Sequence, residues 1–163
     1  MSSPSPAAEE AARPATVADL PAVVGLAAAL RAGASEQRGG ALWLAHDAHP
    51  APTVDGLTAT LADPDALVLV GTLDDHVLAY ALAHTELLDD GRRLGVVDEL
   101  LVDEPARAVG LGEALLAELE RWARSAGCLG LDATALPGDR TAKNFFEAAG
   151  FTARRLVMHR PLA

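Results

Sequence analysis

The residues with the most chemical promise lie between Asp98 and Glu113. Asp98 and Glu99 are neighbouring acids inside an otherwise apolar run, Leu94-Gly95-Val96-Val97-Asp98-Glu99-Leu100-Leu101-Val102. An Asp103-Glu104-Pro105 stop follows, then Arg107-Ala108-Val109-Gly110-Leu111-Gly112, then Glu113 and a charged, leucine-rich stretch to Trp122. The apolar run reads as a strand, ended by a proline that cannot donate to a ladder. Leu111, Leu115, Leu119 and Trp122 recur at helical spacing. A strand therefore delivers the chain to a loop without side-chain bulk at Gly110 and Gly112, and that loop opens a helix. The first N–H groups of the helix have no intrahelical acceptor and sit at the positive end of its dipole. They suit an anion such as a pyrophosphate, and a Cβ on either glycine would hold the phosphate away. Strand side chains alternate between faces, so only one of the two acids reaches a given cleft unless a bulge intervenes.

His46-Asp47-Ala48-His49 sets two imidazoles in one short segment beside Leu42, Trp43 and Leu44. Two histidines are half of a zinc set. The segment supplies no third or fourth ligand, so no metal is expected there. Cys128 is the only cysteine, which precludes an intrachain disulfide; it reads as a small apolar residue near a strand start.

The elements that must position these residues follow from periodicity and punctuation. Met1 to Ala12, rich in Ser, Pro, Ala and Glu, reads as a disordered tail, and residues 13–163 as a single domain. Asp19 is placed to cap a helix running to about Arg31, with a loop after it. Thr53 is placed to cap a second helix from Val54 to about Leu61. Leu67–Val70 and Val77–Ala83 form a hairpin turning at Asp74-Asp75, followed by the strand that carries the acids. Gly127 closes the loop-opened helix, Leu129–Ala133 forms another strand, a helix from Arg140 ends at Gly150, and Thr152–Arg160 is expected to close the sheet. The fold class is α/β (α+β): a mixed, mostly antiparallel sheet with helices on both faces.

Arg107-x-x-Gly110-x-Gly112 after a strand and an acidic-proline turn resembles the acetyl-CoA pyrophosphate loop of the GNAT superfamily of N-acyltransferases. Ala142-Lys143-Asn144-Phe145-Phe146-Glu147-Ala148-Ala149-Gly150-Phe151 is similar to that family's late helix. Arg13-Pro14-Ala15-Thr16 with Asp19-Leu20-Pro21 is similar to its opening strand and first helix. The three matches keep the family's order across about residues 13 to 160.

The resemblance implies an N-acetyltransferase that moves an acetyl group from acetyl-CoA to a primary amine by direct transfer in a ternary complex. It assigns acetyl-CoA to Leu100, Leu101 and Val102 along the strand and to the loop residues Arg107, Ala108, Val109, Gly110, Leu111, Gly112 and Glu113. On the late helix it adds Asn144 and Phe146. It makes Glu99 the favoured general base, with Asp98 second, against the plain alternative that either acid pairs with an arginine. Trp43, Tyr80 and His84 fall on its acceptor side. Val109 stands where relatives are often basic, Asp139 where an asparagine is common, and Phe146 where a tyrosine often protonates the departing thiolate. A non-catalytic CoA-binding sensor of the same fold is the alternative. A dinucleotide-binding enzyme comes after it, because the third glycine position holds Leu115 and the hairpin does not belong to a doubly wound sheet.

Composition sets outer limits. Half the residues are hydrophobic and 22% are charged, as in a globular protein. A formal net charge of −10, with Lys143 the sole lysine, argues against nucleic acid as a partner. No signal-peptide pattern and no membrane-length stretch is read, so a cytoplasmic location and no membrane partner are expected. The resemblance, not the composition, implies a small-molecule or protein amine as acceptor and a possible homodimer, since self-association is common among relatives.

Overall fold

The computed structural model describes residues 10–162. Strand β1 (Glu10–Pro14) pairs antiparallel with β2 (Ala66–Leu73), which pairs with β3 (His76–Leu87), which pairs with β4 (Arg93–Val102). A fifth strand, β5 (Cys128–Ala133), lies parallel to β4, giving the order β1-β2-β3-β4-β5. The mixed, mostly antiparallel sheet is the one expected. β1 starts three residues earlier than the tail boundary read from composition, because Glu10, Ala11 and Ala12 take ladder positions opposite Leu73, Thr72 and Gly71. The rest of that tail lies outside the described residues.

Helix α4 (Leu111–Ser125) covers one face of the sheet, burying Leu111, Leu115 and Leu119 against Leu69, Ala79, Ala81 and Val97. Helix α1 (Leu20–Ser35) and α3 (Val54–Ala62), with the single turn α2 (Gly40–Leu42) between them, lie on the other side, where Leu20, Val23, Ala27 and Leu57 are buried against Val68, Val70 and Tyr80. Each buried leucine contributes roughly 1.5–3 kcal/mol, so the two clusters hold the layers together. Thr53 caps α3 as expected, its hydroxyl accepting the Gly56 N–H. Asp74 and Asp75, both at positive φ, make the tight turn between β2 and β3.

Four expectations are corrected. Asp19 does not cap α1; its carboxylate takes the Thr16 N–H and hydroxyl and the Arg13 guanidinium. α1 runs to Ser35, one turn past Arg31, because Ala32, Gly33 and Ala34 carry no breaker strong enough to outweigh its packing. Val17–Ser35 has the length and apolarity of a membrane span, though none was expected; here its buried face packs on the sheet. Finally, Thr152–Arg160 does not close the sheet. Among the described residues no strand follows α5 (Arg140–Ala148), and Leu156, Val157 and Met158 are exposed. β-propensity becomes a strand only where an edge accepts it, and this segment takes none.

Candidate active site

The site begins with a fault in the ladder. Leu82 pairs with Glu99 and Ala83 with Val97, so Asp98 is an extra residue in β4, a β-bulge. Without it, adjacent acids would point to opposite faces. With it, both turn to the α1 face, while Val97 and Leu100 pack on the α4 side. The two acids then meet different partners.

Glu99 is buried. Its Oε1 lies 2.5 Å from Arg31 Nη2, and its Oε2 accepts the Tyr80 hydroxyl at 2.7 Å. Arg31, the only charged side chain of α1, also donates to the His49 carbonyl at 2.8 Å. Burial, then the charge and hydrogen bond of Glu99, push the Tyr80 phenol far above its ordinary value. Tyr80 is fully buried and so does not face an acceptor, contrary to expectation, because it packs with Leu82 into the cluster under α1.

Asp98 keeps some exposure and holds two imidazoles. Its Oδ2 lies 2.9 Å from His84 Nδ1 and its Oδ1 lies 3.1 Å from His49 Nε2. Burial alone would lower the His84 pKa, but the hydrogen bond and charge of Asp98, with those of Glu86, outweigh it and raise the value. His84 thus sits beside Asp98, and His49 reaches the same carboxylate from the segment after the π-helical turn Trp43–Asp47.

Next to the bulge the sheet opens. The β4–β5 ladder ends at Val97 opposite Ala133, yet β4 continues to Val102. Beyond Val97 that edge of β4 has no strand partner among the described residues. A cleft of about 200 Å³ occupies the gap. Its walls include residues 97–101 of β4, Thr134, Phe146, and, across from them, Gly33, Ala34 and Trp43. Asp98, Glu99, Leu100, Leu101, Arg107 and Trp43 therefore share one cleft, whereas Val102, the last residue of β4, is not among its walls.

The loop reaches the cleft wall through Arg107, and residues 108–113 lie outside that wall. Gly110 precedes α4 at φ +82°, a left-handed backbone that disfavours any side chain. Gly112 serves a different need from the one expected: a Cβ there would come within 3.1 Å of the Phe145 ring, so its smallness seats α5. Leu111 is core, Val109 packs half-buried against the same cluster, and Ala108 and Glu113 are exposed. Arg107 fixes the loop, its Nε donating to the Val102 carbonyl at 3.2 Å. Asp139 caps α5 by accepting the Ala142 N–H at 2.9 Å; Asn144 is exposed, and Phe146 meets the Phe145 ring edge to face and the Phe151 ring at a tilt. Arg31 and Glu86 were missed from the sequence. A lone arginine in an otherwise uncharged helix was the available signal for the first.

The model of the Acetyltransferase (GNAT) family matches residues 34–151, well over half of the chain. No curated protein matches in sequence. Among solved structures, a single-substitution mutant of the BH1408 protein from Bacillus halodurans superposes with a TM-score of 0.79 at 21% identity, covering 93% of this chain and 99% of that one. An aminoglycoside acetyltransferase from an uncultured soil metagenomic sample, in complex with sisomicin, gives 0.69 at 17% identity, with 94% and 95% covered. Glucosamine-6-phosphate N-acetyltransferase from Arabidopsis thaliana gives 0.68 at 15% identity, with 95% and 99% covered. At these identities the structures establish a shared fold, and the family match establishes kinship: the chain belongs to the GNAT family of acetyltransferases.

Proposed function

We propose that the protein transfers the acetyl group of acetyl-CoA to a primary amine directly, with both substrates bound at once. The observation that carries this is the gap at Val97/Ala133, where an unpaired strand edge lies between a partly exposed acid at the bulge and Arg107, the first residue of the glycine-bearing loop. The edge of β4 offers main-chain groups to an extended amide-bearing chain such as pantetheine, as an added strand would use them. The opening N–H groups of α4 suit the pyrophosphate. A backbone N–H of residues 100–102 is available to the thioester oxygen as charge builds there.

Attack needs a neutral amine. An alkyl ammonium near pKa 10.4 is deprotonated at pH 7 at a cost of about 5 kcal/mol, so a proton acceptor at the cleft lowers the barrier. Glu99 has both oxygens committed to Arg31 and Tyr80. Both Asp98 oxygens are also held, but by imidazoles that can pass a proton on, and the carboxylate keeps some exposure where Glu99 is buried against a guanidinium. Asp98 is therefore the better acceptor, directly or through one water, with the exposed His49 ring as the route onward to solvent. Glu99 then positions Arg31 and the His49 backbone. Phe146 supplies no proton to the leaving group; a thiol of pKa about 8.5 departs largely as thiolate without one.

Two of the structural neighbours carry amine acceptors in their names, which supports the acceptor class and leaves the individual amine open. Calorimetric titration of acetyl-CoA, with NAD as the control ligand, tests the cofactor; mass-spectrometric detection of acetylated products from an amine panel tests the reaction. Saturable binding without any acetylated product would favour a CoA sensor, and absence of binding by folded protein would refute the proposal.

A further inference from the structure

We propose that His49, His84 and Asp98 form a binding site for one divalent transition-metal ion, with zinc as the reference ion. Within its own segment His49 has only His46 and Asp47 for company, which is too few ligands. The fold brings the others from two strands. His84 comes from β3 and Asp98 from the bulge in β4, and one ligand atom of each of the three residues lies within 4.8 Å of the others.

The arrangement has the features of a coordination site. Two imidazole nitrogens face one carboxylate at 2.9 and 3.1 Å, while ligands on a zinc tetrahedron with bonds of ~2.0–2.1 Å stand roughly 3.3 Å apart. The two contacts run to different oxygens of Asp98, so rotation of the side chains brings the three ligand atoms onto one ion. Each coordinating nitrogen gives up its proton, with the far nitrogen of each ring keeping or receiving the one N–H of a neutral imidazole. The rings meet edge to face, with centroids 5.6 Å apart at 87°, so their nitrogens converge instead of stacking.

Outer partners are present as well. The far nitrogen of His84, Nε2, lies 3.4 Å from Glu86 Oε1, the carboxylate–imidazole relay that fixes a ligand's tautomer. The backbone of His49 is held by Arg31, itself anchored on Glu99. Two imidazoles and one carboxylate suit zinc, nickel, copper or ferrous iron, and disfavour calcium and magnesium. His49 is two-thirds exposed, which leaves a solvent path and a fourth position for water. The bound ion ties the segment that carries Trp43 to the sheet. The ion would occupy the Asp98 carboxylate and His49 ring that acetyl transfer uses for its proton, so metal and transfer compete for them; the binding test reads the metal alone and does not depend on acetyl transfer.

The test uses tag-free, chelator-stripped protein and zinc chloride in competition with a chromophoric chelator. One equivalent binds with micromolar or tighter affinity; His49→Ala and Asp98→Asn each weaken it at least tenfold, and His46→Ala changes it less than twofold. His49 is exposed, so its variant keeps the fold, which circular dichroism verifies. Zinc raises the unfolding midpoint of the wild-type protein and leaves that of His49→Ala where it was. Failure to bind one equivalent overturns the proposal, as does equal affinity in His49→Ala. A His46→Ala loss as large as that of His49→Ala assigns binding to the surface histidine pair and also overturns it.

Discussion

Asp98 and Glu99 are joined by one peptide bond and share a face of the sheet, yet their partners give them different work. Replacing Asp98 with Asn keeps size and hydrogen bonding and removes the proton acceptor. The expected result is a fall in kcat of about 10²–10⁴, with acetyl-CoA affinity unchanged, read by steady-state kinetics and calorimetry. Glu99→Gln instead strips the charge that balances a buried guanidinium; breaking such a pair costs about 3–5 kcal/mol, measured by denaturant unfolding. A large kcat loss in Glu99→Gln without a stability loss would reverse the two roles. The acids themselves were legible in the sequence. Their partners were not, because Arg31 is 68 residues from Glu99 and spacing carries no information across that distance. Tyr80 was misread for the same reason: a tyrosine in a strand looks identical whether its face meets a cleft or a helix.

At the level of elements, the strand–loop–helix unit from β4 to α4 was the most legible part. Its signals are local: a proline stop, two glycines and leucines at helical spacing. The reasons for the glycines were only half visible. Gly110 answers to backbone conformation, so Gly110→Ala costs about 1–2 kcal/mol through its left-handed φ. Gly112 answers to Phe145, so Gly112→Ala forces α5 outward, and acetyl-CoA affinity should fall while chemical denaturation shows a loss of about 1–3 kcal/mol. Either variant binding acetyl-CoA as the wild type does would count against the loop as the pyrophosphate site.

The turn before α1 carries a prediction about pH. Hydrogen bonds from Arg13, and from the Thr16 N–H and hydroxyl, hold the Asp19 carboxyl well below the usual carboxylate range, against the opposing effect of burial. A depressed folded-state value stabilises above the unfolded value, near pH 3.9, and that contribution is lost as pH falls below it. Asp19→Asn should therefore lower stability by about 2 kcal/mol at pH 7 and flatten the acid limb of the stability curve, measured by thermal unfolding from pH 7 to pH 3.

For the whole molecule, the layer architecture follows from the order of apolar patterns, and it came out as read. The exceptions sit at the two edges of the sheet. At the β1 edge an alanine-rich stretch that looks structureless acquires a strand from its neighbour's ladder. At the β5 edge a stretch rich in strand formers acquires none. Edges depend on what is available to pair with, which composition does not record. Truncation after Phe151, which removes the surface ion pair from Arg154 to Asp132, should leave the unfolding midpoint unchanged within error by calorimetry.

The bulge at Asp98 also bears on how such a site can arise and be lost. Val97 and Glu99 already occupy consecutive ladder positions opposite Ala83 and Leu82, each on its proper face. Deleting Asp98 would therefore leave a regular ladder, with every core residue keeping its side of the sheet. The acid is an insertion into a framework that is complete without it, rather than a replacement of a packing residue. If Asp98 is the proton acceptor proposed above, a change at one codon adds or removes it without moving the core.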